Sequence, residues 1–172
     1  MTQTLRLSAL LVAGALCGVG CDAAAALPTA PTPTTPSVVQ TEGRWTPVLG
    51  GHDGTSGQVY KSQHGEWVRT GNLVFASATI TLAQKGTIVG TLEIQGLPFR
   101  SAPMHDSACV FGDFDSAGSP QVWVSGIIFS GVAYVELRHR DSPMHNMSSM
   151  DTHDVADTTA LEMACTYITA GP

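Results

Sequence analysis

From Gly43 to Phe99 strand and turn signals follow one another without a break, which leaves little room for anything but a sheet. Gly43-Arg44-Trp45-Thr46-Pro47-Val48-Leu49 opens the stretch and Gly96-Leu97-Pro98-Phe99 closes it. Between them Trp67 and Val68 sit in a short strand, and the β-branched and aromatic run Leu73 to Leu82 reads as its partner. Thr70-Gly71-Asn72 supplies the φ > 0 conformation that a tight hairpin demands. Lys85-Gly86 marks a break, and Thr91 to Gln95 alternates again.

The same reading extended along the chain places strands at Trp45–Leu49, Val59–Ser62, Glu66–Arg69, Leu73–Leu82, Thr87–Ile94, Ala108–Phe111, Gln121–Phe129, Val132–His139 and Leu161–Thr169. No window carries the apolar spacing of a sizeable amphipathic helix, and most of the eighteen glycines fall between strands. The expected fold is all-β, an antiparallel sandwich of jelly-roll kind. Alternation assigns its faces. Leu161, Met163, Cys165 and Tyr167 share one side of the last strand and form its core face, opposite Glu162, Ala164, Thr166 and Ile168. Val122 and Val124, and Tyr134, Glu136 and Arg138, sort their strands in the same way. Gly126 to Phe129 is apolar on both sides, as in a central strand under a loop or a surface that meets another subunit.

The quoted residues resemble a known family, the C-terminal domains of phage tail-fibre and tail-collar type. Its members read Gly-x-Trp-Thr-Pro, then Tyr, then Gln-x-Gly-x-Tyr-x-Lys-x-Gly, and finally Gly-Leu-Pro-Phe. Here those positions are Gly43 to Pro47, Tyr60, Gln63 to Gly71 and Gly96 to Phe99, with Trp67 in place of the usual Tyr and Arg69 in place of Lys. Asp154 to Thr169, with Tyr167-Ile168, looks like the family's final strand. Ser101 to Met150 matches poorly, so the resemblance covers about half the chain. It implies a homotrimer, and a module that engages a surface glycan or protein, as the tips of adhesive fibres do.

Ahead of the domain, Arg6 precedes the apolar run Leu7 to Val19, too short to span a bilayer and the right length for the core of a secretory signal. Gly18-Val19-Gly20-Cys21 reads as a lipoprotein cleavage box with Cys21 acylated, whereas Ala24-x-Ala26 would suit an ordinary signal peptidase. Cys21 is favoured, because Ala23 to Val39 is an Ala/Pro/Thr spacer, and an extended spacer has a purpose only when one end is anchored. The organisation expected is therefore 1–20 signal, 21–39 linker and 40–172 domain. The protein would be exported and held in the cell envelope by a lipid in the membrane, or else secreted.

Cys109 and Cys165 remain, and an exported chain meets an oxidising compartment. Either they pair in a disulfide or they are two buried thiols on separate strands. The formal charge is −6, and Lys and Arg do not cluster, which excludes nucleic acid as a partner. Arg138-His139-Arg140 reads as a solvated strand end.

The most unusual composition lies in loops. Met144, His145, Met147, Met150 and His153, with Met104 and His105 elsewhere, gather four of the six methionines. Thioether and imidazole suit soft or borderline ions, so these residues form a candidate copper set. Asp113 to Gly118 reads as a turn rather than a calcium loop, since the later bidentate Glu is missing. There is no Gly-x-Ser-x-Gly elbow, His-Glu-x-x-His helix or phosphate-cradling loop, so catalysis and a resident cofactor are not expected. The function expected is a displayed binding or structural module. Its ligand would meet His52, Phe114, His145 and the exposed ring of Trp123, while Trp45 and Trp67 serve the core. The alternative is an exported copper-binding lipoprotein.

Overall fold

The structure is a computed structural model that describes residues 39–115 and 123–171. The expected signal, the acylation at Cys21 and nearly all of the linker lie outside the described residues. Among the described residues there are twelve strands: β1 (Gln40–Trp45), β2 (Val48–Gly51), β3 (Gly54–Ser56), β4 (Val59–Thr70), β5 (Leu73–Gln84), β6 (Thr87–Val89), β7 (Leu92–Gln95), β8 (Ser107–Asp115), β9 (Trp123–Ile128), β10 (Tyr134–Arg140), β11 (Ser148–Ser149) and β12 (Ala160–Ile168), with one 3-10 turn at Thr152–Asp154. The all-β antiparallel expectation holds.

One sheet runs β1-β4-β5-β12-β8-β9-β10-β7-β2, with β11 beside β10, and β3 pairs separately with β6. Its first and last strands are successive segments of chain, joined by Thr46-Pro47 alone. The sheet therefore curls until its edges meet and its two halves pack over one core. Leu49 of β2 donates its N–H to the Tyr60 hydroxyl of β4 across that seam, and Gln63 Nε2 donates to the Pro47 carbonyl at 2.7 Å. Pro47 has no N–H to leave unpaired, so the bend falls where a ladder bond is least missed.

Local chemistry accounts for most strands. β4 and β5 join through Gly71-Asn72, with Gly71 at φ +59°, the conformation a two-residue hairpin loop requires and glycine adopts without strain. The expected strands Val59–Ser62 and Glu66–Arg69 are one twelve-residue strand, bridged by irregular pairing around Tyr60. The expected Thr87–Ile94 strand is split at Gly90, where φ is +85°. Asp113 to Asp115, expected as part of a turn, continue β8.

The inward faces obey the two-residue period. Val74, Ala76, Ala78, Ile80 and Leu82 of β5 face Leu161, Met163, Cys165 and Tyr167 of β12, and all are buried together with Leu49, Ile94, Ile128, Val135 and Leu137. Gly126 to Ile128 belong to β9, a central strand between β8 and β10. Cys109 and Cys165 are direct partners of β8 and β12, 4.4 Å apart at Cα, and a disulfide joins them.

Residues of the Gln63–Gly71 and Gly96–Phe99 runs interlock. Trp67 meets Phe99 edge to face at 4.9 Å, Arg69 lies over the same ring at 4.8 Å, and the Tyr167 hydroxyl donates to the Phe99 carbonyl at 3.1 Å. Burial pushes the Tyr167 phenol up to about 12. These side chains hold the end of the sheet together.

Candidate functional site

The densest cluster of ionisable and hydrogen-bonding side chains lies on the outer face of β2, β7 and β10. Glu93, at the middle of β7, stands opposite Gly50 on one side and Glu136 on the other. Gly50 has no side chain, so the chain beyond β2 folds back close over the strand. A Cβ there would sit 2.5 Å from Thr55 Oγ1. That return brings His52 over Glu93, where Nδ1 donates to Oε1 at 2.6 Å, while Gln95 Nε2 donates to Oε2 at 3.1 Å.

Glu93 is only 4% exposed. A carboxylate so far from water is costly unless both oxygens are satisfied, and these two donors satisfy them. Glu136 directly opposite adds like-charge repulsion. Ser149 Oγ offsets part of it by donating to Glu136 Oε1 at 2.7 Å, with Arg138 Nε 3.9 Å away. Tyr134 completes the shelf. Its ring lies edge to face with His52 at 6.3 Å, and its phenol is raised by burial first and then by Glu93 and Glu136.

With Nδ1 committed to Glu93, the His52 side chain is still 59% exposed, and among the described residues no hydroxyl or thiol is hydrogen-bonded to it. The shelf thus offers an oriented imidazole and the edge of the Tyr134 ring, above a buried, hydrogen-bonded Glu93 and a partly covered Glu136. The Glu93 hydrogen bond and its charge raise the His52 pKa above the ordinary 6.5. The pairing therefore stabilises the fold fully below pH 6.5, and its contribution fades as pH rises through the folded value. His52 is expected to titrate above 6.5 by NMR in the native protein and to return toward 6.5 in Glu93→Gln. Titration of native His52 at or below 6.5 would show that the bond is not made in solution.

The sequence-expected residues are dispersed. Phe114 is half-buried, packed edge to face on Phe111 at 6.2 Å and against the core. Trp123 is 59% exposed and stands opposite Arg140. His145 is exposed on the loop leaving the same end of β10 and holds Asp141 Oδ1 through Nδ1 at 2.8 Å. Of the copper set, Met104 and His105 are exposed next to Asp106, whose side chain accepts from Ser130 N beyond the end of β9. Met144 and His145 follow β10, beyond the start of β9. The two groups are separated by the length of β9, roughly 17 Å at about 3.3 Å per residue. Met150 is fully buried in the core, Met147 is half-buried and His153 is exposed on the 3-10 turn. Among the described residues no group of three or more His, Cys, Asp or Glu side chains is placed to hold a metal ion.

Sequence reasoning did not single out Glu93, Gln95, Tyr134 or Glu136 as a site. Alternation placed Tyr134 and Glu136 on one face, but nothing local announced that β7 would lie beside them. Nor is His139 in a solvated strand end: it points inward, with its side chain 18% exposed and Nδ1 3.5 Å from Asp154 Oδ1. No protein-family model, curated protein or solved structure matches the chain.

Proposed function

We propose that this protein is an exported binding module, anchored through an acylated Cys21 and carried on the Ala/Pro/Thr spacer, that captures a surface glycan at the shelf around His52, Glu93, Tyr134 and Glu136. The observation that carries this reading is the contrast between the two sides of the sheet. The inner face is filled by close-packed side chains, while the outer face at β7 and β10 gathers the Glu136 carboxylate, an oriented imidazole and the Tyr134 ring edge. A polyhydroxylated ligand needs acceptors for its hydroxyls and rings for its C–H faces. The resemblance to tail-fibre tips supports the same ligand class and adds a homotrimeric assembly. The module acts by binding, without catalysis.

A glycan array probed with the mature protein, followed by calorimetry on the best ligand, tests the shelf. Tyr134→Ala and Glu136→Gln are expected to weaken binding at least ten-fold while the melting temperature stays close to that of the wild type. Equal affinity in these variants, or no bound glycan at all, would overturn the glycan reading. Mass spectrometry of the mature N-terminus tests the anchor separately: a diacylglyceryl group on Cys21 supports it, and an unmodified N-terminus near Ala26 refutes it.

A further inference from the structure

At the far end of β10 an open pocket of about 380 Å³ is lined by His139, Asp141, Met144, His145, Asn146 and Ser148. Two of its walls are imidazoles, and a carboxylate sits at the Nδ1 of each. Asp141 bonds to His145 at 2.8 Å, and Asp154 Oδ1 lies 3.5 Å from His139 Nδ1, a charge contact longer than a hydrogen bond. Carboxylates placed on Nδ1 leave Nε2 as the donor nitrogen. That is the outer-shell arrangement by which proteins present histidine to a metal.

The rest of the pocket decides which metal. Asp141 is engaged by the Nδ1 of His145, and among the described residues no three His, Cys, Asp or Glu side chains are placed to hold a metal ion, so the soft donor in the lining is the Met144 thioether, on a side chain 90% exposed. Two imidazoles and a thioether form a soft, low-coordination set, which suits Cu(I) and serves Zn(II) or Ca(II) poorly. Both cysteines of the domain are tied in the disulfide, so no domain thiolate competes.

We propose that His139, His145 and Met144 bind one cuprous ion, with Asp141 as a positioning residue for His145. The site is separate from the glycan shelf and stands or falls without it. It keeps Met144 and His145 from the sequence-derived set, adds His139, and leaves out Met104, His105, Met147, His153 and the core residue Met150.

Anaerobic titration of the mature protein with Cu(I) against a chromophoric chelator tests the proposal, with X-ray absorption to identify the scattering atoms. One equivalent is expected to bind, with a sulfur among the neighbours. His145→Ala should weaken it at least ten-fold, and Met144→Leu should remove the sulfur signal. Both positions are exposed, so neither change endangers the fold. Asp141→Asn should cost about ten-fold without touching the ion, and Met104→Leu should change nothing. Undiminished binding in His145→Ala, an equal loss in Met104→Leu, or Zn(II) bound as tightly as Cu(I) would each overturn the assignment.

Discussion

Replacing Cys109 and Cys165 together by alanine is expected to lower the domain's unfolding free energy by roughly 4 kcal/mol on the chain-entropy account of a cross-link. The bond closes a loop of 56 residues between β8 and β12, and without it the unfolded chain regains that freedom. Four kilocalories is a large part of a small domain's net stability, and it corresponds to a melting point lower by on the order of 15 °C. Both sulfurs also face the core, at 2% exposure each, so the alanines leave a small void as well. Guanidinium unfolding with and without reductant provides the check. Reduced wild type and the double variant should both be less stable than the oxidised form, the variant somewhat more so for its void, and both with a steeper denaturant slope, because the uncrosslinked chain exposes more surface. Equal stability of oxidised and reduced protein would rule the account out.

The second large effect lies at the seam between β1 and β4. Gly43 pairs with Trp67 and Trp45 with Gly65, so each indole lies over a glycine on the neighbouring strand. A Cβ at position 65 would stand 2.5 Å from Trp45 Nε1, and one at position 43 would stand 2.7 Å from Trp67 Cζ2. The Trp45 indole N–H donates to the Ser77 carbonyl at 3.1 Å, which limits its freedom to move aside. Gly65→Ala is expected to cost about 2 to 3 kcal/mol by overpacking. Trp45→Ala should cost about 4 kcal/mol, by lost burial and the cavity left behind. With the indole gone, a methyl group at position 65 no longer meets the ring. The double variant should therefore be at least ~1 kcal/mol more stable than the sum of the single effects predicts, the signature of two residues in direct contact. Simple additivity in a denaturation cycle would show that the indole does not sit on Gly65.

Some positions that look functional in the sequence are structural, and the reverse also occurs. Phe99 and Arg69 belong to motif-like runs, yet both are consumed in holding Trp67 and the end of the sheet. Phe114 reads as a loop aromatic, but β8 carries it onto Phe111. Met150 sits among polar residues and still fills the core, because its N–H and C=O bridge Leu137 and Leu92 and draw its side chain inward. Glu93 goes the other way. It is an ordinary acid in a short strand until β10 brings Glu136 beside it and the chain after β2 lays His52 across it.

Period-two alternation, glycines at the turns and the absence of a helical stripe sufficed for the all-β class, the β4–β5 hairpin and the inward face of β12, because each depends on residues a few positions apart. Which strands become neighbours is a different matter. β12 enters between β5 and β8, and the chain bends at Thr46-Pro47 so that the sheet's edges meet. Those pairings unite residues tens of positions apart, and their energy lies in cross-strand contacts and shared burial that no local pattern encodes. The disulfide, the His52–Glu93 shelf and the pocket that His139 and His145 both line all arise from the folded arrangement.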